Sequence, residues 1–207
     1  MYTAYLADTP NGRKIAIALE KLELPYRVQS VDLGAGEQHT PAFLRLNPNG
    51  KIPVLVNDHD GSTLFESNAI LFHLATRHDG LIPADTAGRD TVLQWLFLQA
   101  ASIGPMLGQL WWFRHASPTP NEQALARYTK EARRLYDVIE RRLAVTPFVA
   151  GDAYTVADIA CWTWLVTHDE LGLDIGAWPA VAAWLDKVGA RPAVRRGLVR
   201  TAEPAHV

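Results

Sequence analysis

The first 33 residues follow the order strand, helix, strand, and this order limits the possible folds more than any other feature of the sequence. Residues 1–7 and 26–33 have the aromatic and β-branched composition of strands. Between them, Ile15, Ala18 and Leu22 recur at helical spacing. Two strands joined by a helix pair in parallel, and the helix crosses one face of the sheet. The chain is therefore predicted to begin with an α/β module.

Shorter elements complete this module within residues 1–80. They are a short helix, two strands that form a hairpin and a last helix, predicted over Pro41–Leu46, Ile52–Val56, Thr63–Phe65 and Ala69–Arg77. The predicted order of the whole module is βαβαββα. Residues 81–87 include a proline and are predicted to be a linker.

From residue 88 to residue 207 almost every segment has helical periodicity, which predicts an all-α domain. The first long helix is expected to kink at Gly104-Pro105. The helices are predicted over Arg89–Trp112, Asn121–Leu143, Thr155–Thr167, Ala180–Ala190 and Pro192–Val199.

Composition and charge argue against several classes of function. The formal net charge is −2 and the basic residues are scattered, so we expect no nucleic-acid partner. No apolar run approaches the ~20 residues of a membrane span, and the N-terminus does not resemble a signal peptide. We therefore expect a cytoplasmic protein with no membrane partner. The seven histidines lack the spacing of metal ligands, so no metal is expected.

Thr9-Pro10-Asn11-Gly12 lies at the first strand-to-helix junction, where thioredoxin-like folds usually carry a redox-active Cys-x-x-Cys pair. Thr9 is a favourable N-cap, and Pro10 suits the first helical position. The one cysteine of the chain, Cys161, is expected to be a buried packing residue, and a disulfide within the chain is impossible. These residues leave open where a reactive thiol would come from.

The stretch Asn47-Pro48-Asn49-Gly50-Lys51-Ile52-Pro53 is a turn that leads into a strand. Proline is tolerated at the first residue of an edge strand, and the Ile52–Pro53 bond is a candidate cis peptide. The Ile52 backbone could pair with a peptide-like ligand. The alternative is an ordinary edge strand with a proline stop signal.

Glu66 and Ser67 directly precede a predicted helix. Ser67 is expected to be its N-cap, at a helix start whose backbone N–H groups can bind a carboxylate. Glu66 could accept a hydrogen bond from an ammonium group, so the pair suits an α-amino acid. The alternative is a plain helix cap beside an acid that the helix dipole favours.

The two motifs together resemble the glutathione site of the cytosolic glutathione transferases, and the resemblance covers the whole chain. Further stretches are similar to the bacterial Nu-class group, whose members work as glutathione-dependent disulfide-bond oxidoreductases. These stretches are Thr9–Gly12, Val31–Gly34, Leu93–Phe97, Gly104–Gln109 and Ala157–Trp162.

The resemblance implies that glutathione, as thiol or disulfide, brings the sulfur. Thr9 and Asn11 would then be the catalytic residues, because both can donate hydrogen bonds to a thiolate and neither can act as a base. Tyr5 occupies the position of the thiol-activating tyrosine of other classes. The implied glutathione-binding residues are Asn11, Gln38, Lys51, Ile52, Pro53, Glu66, Ser67 and, from the partner subunit of a homodimer, Arg127.

A second-substrate pocket lined by Gln109, Trp111 and Trp112 is expected from the same resemblance, although core packing is the alternative for the two tryptophans. The favoured function is the reduction of small disulfides by thiol–disulfide exchange. The first alternative is a transferase that conjugates glutathione to apolar electrophiles, which the tryptophans would favour. The second is a glutathione-sensing or ligand-carrying protein that is not an enzyme.

Overall fold

A computed structural model describes residues 1–202, and the chain forms two compact units. Of the described residues, the first unit contains residues 1–81 and 189–202, and the second contains residues 82–188. This division keeps the last helix with the α/β part of the chain. The predicted domains, residues 1–80 and 88–207 with a linker at 81–87, remain a prediction.

The first unit has the predicted element order βαβαββα, followed by the C-terminal helix. Its strands are β1 Tyr2–Leu6, β2 Tyr26–Ser30, β3 Val54–Asn57 and β4 Thr63–Phe65. Its helices are α1 Pro10–Lys21, α2 Pro41–Leu46, α3 Ser67–Arg77 and, at the C-terminus, α9 Pro192–Ala202. A short 3-10 helix, Glu37–His39, precedes α2.

The four strands form one sheet in the order β2-β1-β3-β4. β1 pairs in parallel with β2, with Tyr2 opposite Tyr26, which confirms the strand–helix–strand prediction. β3 is antiparallel to both of its neighbours, and Val54 lies opposite Tyr5 on one side and Phe65 on the other. The carboxyl end of β1 therefore leads to the N-terminus of α1 beside the first residues of β3.

Helix α9 packs closely on α1 within the first unit. A Cβ atom at Gly197 would lie 2.7 Å from the backbone nitrogen of Ile17, so only glycine allows this approach. Arg196 donates from Nε to Glu20 Oε2 over 2.6 Å and from its terminal nitrogen to the Glu20 carbonyl oxygen over 3.2 Å. Tyr26 donates to the other carboxylate oxygen of Glu20. These hydrogen bonds tie together α9, α1 and β2.

The second unit is helical, as predicted. Its helices are α4 Thr86–Leu98, α5 Gly104–His115, α6 Glu122–Leu143, α7 Val156–Leu165 and α8 Pro179–Gly189. Only Gly189, the last residue of α8, falls in the first unit. A π-helical turn over Gln99–Ile103 separates α4 from α5. The helix predicted over residues 89–112, with an expected kink at Gly104-Pro105, is thus two helices that are separated directly before this pair.

Helix α7 is the buried centre of the second unit, and Asp158 organises its N-terminus. Thr155 and Asp158 form a capping box. The Asp158 carboxylate also accepts hydrogen bonds from the Val149 N–H and from Trp184 Nε1. Within residues 1–202, no helix is long and apolar enough to cross a membrane.

Candidate functional site

The N-terminus of α1 presents the first set of polar groups. Thr9 caps the helix: its Oγ accepts the Gly12 N–H over 3.2 Å, and Pro10 follows in the first turn. This acceptor role leaves the hydroxyl proton of Thr9 to donate elsewhere. Gly12 packs against Ala7, the residue directly after β1, since a Cβ at this position would overlap the Ala7 carbonyl oxygen. The close approach holds the start of α1 against the end of β1.

Asn11, Ser67 and Lys14 form a hydrogen-bonded group between α1 and α3. Lys14 Nζ lies 3.1 Å from Ser67 Oγ and 2.9 Å from Asn68 Oδ1. Ser67 Oγ in turn donates to Asn11 Oδ1 over 3.3 Å. Lys14 and Ser67 are both buried, and Asn11 is half-buried. The structure thus brings together two residues of the predicted site, Asn11 and Ser67, across 56 positions of sequence.

The N-cap of α3 differs from the prediction. Glu66 occupies the cap position and Ser67 is the first helical residue, whereas the sequence predicts Ser67 as the cap. The hydroxyl of Ser67 contacts Lys14 and Asn11, so its hydrogen bonds go to α1 instead of its own helix. Glu66 has φ of 68°, a strained conformation for a residue with a side chain. The Glu66 side chain makes no capping hydrogen bond to the first N–H groups of α3.

The turn that precedes β3 is held by Asn47, which is buried. Asn47 Nδ2 donates to the Lys51 carbonyl oxygen over 2.6 Å, and its Oδ1 accepts the Asn49 N–H. The Ile52–Pro53 peptide is cis, as the sequence indicated. The strand ladder begins at Val54, so Ile52 lies beyond the paired residues of β3. Lys51 is exposed beside it.

Gln38 lies in the 3-10 helix before α2 and has one weak contact. Its Nε2 donates to the Leu33 carbonyl oxygen over 3.5 Å. Its Oε1 is buried and has no hydrogen-bond partner among the described residues. Because a buried acceptor without a partner is unfavourable, an N–H group of a bound molecule would stabilise this side chain.

Tyr5 and Cys161, which could also take part in thiol chemistry, are both packed against other side chains. Tyr5 is half-buried and packs edge-on against the Phe43 ring, at a centroid distance of 6.2 Å. Cys161 is 0% exposed on α7, which confirms that it is buried. A buried thiol in an apolar environment is a poor nucleophile.

The residues predicted for the second-substrate pocket lie on α5. Gln109 is exposed, and Trp111 and Trp112 are 42% and 41% exposed, so neither tryptophan is a core residue of its unit. Trp111 Nε1 donates to Glu170 over 2.9 Å, and the Trp112 ring packs edge-on against Phe113. A role of these residues in substrate binding remains a prediction.

Arg127 lies on the exposed face of α6, where solvent is the alternative to a partner subunit. Its predicted contact with the glutathione of a partner subunit remains a prediction. Within the described part of the chain, no group of three or more histidine, cysteine, aspartate or glutamate residues could hold a metal ion.

Lys14, Asn68 and Asn47 were not predicted from the sequence as parts of the site. For Lys14 a signal was present: it lies four residues before Ala18, so it falls on the apolar stripe of α1. A lysine on a buried helix face requires polar partners. The identity of those partners, which lie 53 and 54 positions away, depends on the tertiary fold.

Two protein-family models together match most of the chain. Residues 3–76 match the model of the glutathione S-transferase N-terminal domain, and residues 95–192 match that of the C-terminal domain. These two ranges fall on the α/β part and, for the most part, on the helical part.

Two curated relatives come from Escherichia coli K12. The disulfide-bond oxidoreductase YfcG is 44% identical over 97% of this chain and 95% of its own length. The disulfide-bond oxidoreductase YghU is 40% identical over 94% of this chain and 73% of its own length.

A solved structure with the same fold is a glutathione transferase homologue from Lodderomyces elongisporus, which holds two glutathione molecules per subunit. It has a TM-score of 0.92 and 36% identity, over 96% of this chain and 97% of its own.

Proposed function

The chain belongs to the glutathione S-transferase family, and on this basis we propose that it is a glutathione-dependent disulfide-bond oxidoreductase. It reduces small disulfides by thiol–disulfide exchange with bound glutathione. The names of the two relatives from Escherichia coli support this activity. The single observation that carries the proposal is the first helix start, where donors stand at the position of a redox cysteine pair while the only cysteine is buried.

Glutathione is proposed to lie along the start of β3 and the N-terminus of α3. Glu66 accepts from the γ-glutamyl ammonium, and the backbone N–H of Ser67, with the other first N–H groups of α3, binds the γ-glutamyl carboxylate. The backbone of Ile52, next to Pro53, pairs with the cysteinyl part. Gln38 and Lys51 approach the glycyl end.

Thr9 and Asn11 are the proposed catalytic residues, because each can donate a hydrogen bond to the glutathione sulfur. The N-terminal end of a helix and such donors stabilise a thiolate and lower the pKa of the thiol. Neither side chain removes the proton, which passes to solvent. The residues therefore raise the fraction of the nucleophilic thiolate without acting as a base.

The reaction has two balanced steps. The glutathione thiolate attacks one sulfur of the disulfide, the S–S bond breaks, and the departing thiolate takes up a proton from water. This step leaves a mixed disulfide of glutathione and the first half of the substrate. A second glutathione thiolate then attacks the glutathione sulfur of the mixed disulfide, which releases the second thiol and yields glutathione disulfide. The net reaction oxidises two glutathione molecules and reduces one disulfide to two thiols.

The finer parts of the proposal concern assembly and location. We place the protein in the cytoplasm, where glutathione keeps thiols reduced. We also infer a homodimer in which Arg127 of the partner subunit contacts glutathione, and a second-substrate pocket that includes Gln109. Residues 1–80 are the proposed glutathione-binding domain.

Conjugation of glutathione to an apolar electrophile is the second candidate function. The partial exposure of Trp111 and Trp112 favours it, because two exposed indoles offer a flat apolar surface. The same glutathione thiolate would then attack carbon instead of sulfur.

Steady-state reduction of bis(hydroxyethyl) disulfide by glutathione, coupled to NADPH oxidation by glutathione reductase, tests the proposal. Thr9→Ala and Asn11→Ala are each expected to lower kcat by roughly 10- to 100-fold, because each removes one hydrogen bond to the glutathione thiolate. Thr40→Ala is the matched control, because Thr40 also caps a helix that begins with proline. It should lose cap stability and keep its turnover.

Parent enzyme that does not turn over the disulfide, but rapidly conjugates chlorodinitrobenzene, would contradict the disulfide proposal and support the second candidate. Equal losses in Thr40→Ala and Thr9→Ala would show that cap stability, and not a contact with sulfur, is the cause.

A further inference from the structure

Lys14 is a buried cation that the proposed function does not use. Its side chain is 1% exposed, and it is among the largest fully buried side chains of the chain. An ammonium group in such a place is costly unless polar atoms surround it. Ser67 Oγ and Asn68 Oδ1 are two of the atoms that do so, at 3.1 and 2.9 Å from Nζ.

The contact with Lys14 determines where the hydroxyl proton of Ser67 points. An ammonium group can only donate, so Ser67 Oγ must accept from Lys14 and direct its one proton elsewhere. That proton is donated to Asn11 Oδ1, at a distance of 3.3 Å. Because Ser67 donates, Asn11 must present its carbonyl oxygen to Ser67 and turn its NH2 group away from it.

We propose that Lys14 is a positioning residue, which acts through Ser67 to fix the carboxamide of Asn11 with its NH2 group toward the glutathione sulfur. Without the ammonium group, the Ser67 hydroxyl is able to rotate and to accept from the Asn11 NH2 group. The carboxamide would then turn over and present its oxygen to the thiolate, which repels it. This inference rests on the proposed function, because it requires a bound glutathione thiolate.

The test is the pKa of the thiol of bound glutathione, followed by the ultraviolet absorbance of the thiolate as the pH is varied. The protein is saturated with glutathione, and the variants are Lys14→Met, Ser67→Ala and the double variant. Lys14→Met should raise the thiol pKa by about one unit and lower kcat about tenfold at neutral pH, with a smaller change in KM for glutathione. Lys21→Met, an exposed lysine on the same helix, is the control and should match the parent.

The double variant separates positioning from the direct effect of charge. If Lys14 acts through Ser67, then Lys14→Met adds no further shift of the thiol pKa once Ser67 is alanine. A shift of the same size in both backgrounds would overturn the proposal, since the ammonium would then act on the sulfur without Ser67. The proposal would also be overturned if the Lys14→Met protein bound glutathione with the same thiol pKa as the parent.

If the Lys14→Met protein does not fold, the Ser67→Ala variant still tests the proposal. This variant should itself raise the thiol pKa by about one unit, and an unchanged value contradicts the proposed chain of contacts. The parent protein distinguishes this inference from the function on which it rests. If the parent protein binds no glutathione, the proposed function and the positioning role are both overturned. If the parent binds the thiolate and the variants bind it equally well, only the positioning role is overturned.

Discussion

At the scale of single residues, the sequence predicted which residue types stand at the site but not how they contact one another. Thr9 as an N-cap follows from its position before Pro10, and the structure confirms this cap. The cap of α3 was predicted wrongly, because the hydroxyl of Ser67 is committed to Lys14 and Asn11 instead. Those partners are more than 50 positions away, and local capping preferences contain no information about them.

Gly12 is the residue whose replacement should disturb the site most without removing a polar group. Gly12→Ala places a Cβ against the backbone carbonyl of Ala7, which cannot rotate away. We expect the free energy of unfolding to fall by about 2 kcal/mol, although alanine ordinarily favours a helix by about 1 kcal/mol over glycine. Urea unfolding measures the difference.

Gly108→Ala is the matched control for Gly12→Ala. A Cβ at Gly108 would lie 3.4 Å from the Trp164 ring, which is ordinary packing distance. This variant should be neutral or slightly more stable, so equal destabilisation at both positions would contradict the steric argument.

At the scale of elements, periodicity and order predicted the sheet and most helices, whereas two features required the tertiary structure. The π-helical turn before Gly104 separates two helices where the sequence predicted one helix with a kink. The close packing of α9 on α1 depends on Gly197, which by propensity alone only weakens a helix. Arg196 also pairs with Glu20, 176 positions away, a contact that the local sequence does not indicate.

The Glu20–Arg196 pair should make the packing of α9 on α1 dependent on pH. Partial burial opposes ionisation of Glu20, but hydrogen bonds from Arg196 and Tyr26 outweigh it and hold the pKa of the carboxyl below its ordinary 4.5. A lowered pKa in the folded state contributes stability above pH 4.5, and this contribution is lost as the pH falls through the folded-state pKa.

Arg196→Ala should therefore lower the free energy of unfolding by about 0.5–1 kcal/mol near neutral pH, a modest value because the arginine is half-exposed. The difference from the parent should shrink as the pH is lowered below 4.5 and through the folded-state pKa, because the carboxyl then becomes protonated. Urea unfolding over a series of pH values measures it, with Arg195→Ala on the same helix as the control. A difference that stays constant with pH would contradict the ionic origin of the interaction.

At the scale of the whole molecule, a strand–helix–strand start and a helical remainder were enough to predict the fold class, and the family match agrees with it. The boundary between the two units was less predictable. The last helix follows the helical segments in sequence, yet it packs with the α/β unit. The packing of the last helix depends on a glycine that permits close backbone approach and on an arginine that pairs with a glutamate 176 positions away. Neither contact can be inferred from local sequence patterns.

The central claim is that the protein reduces disulfides with the thiol of glutathione and without one of its own. The most direct test is the glutathione-dependent turnover of Cys161→Ala, which contains no sulfhydryl group at all. Because Cys161 is buried on α7, the substitution should cost about 1 kcal/mol of stability, which a thermal melt will show. We predict a kcat/KM for disulfide reduction within about twofold of the parent. A folded Cys161→Ala protein that binds glutathione but no longer reduces the disulfide would contradict the claim.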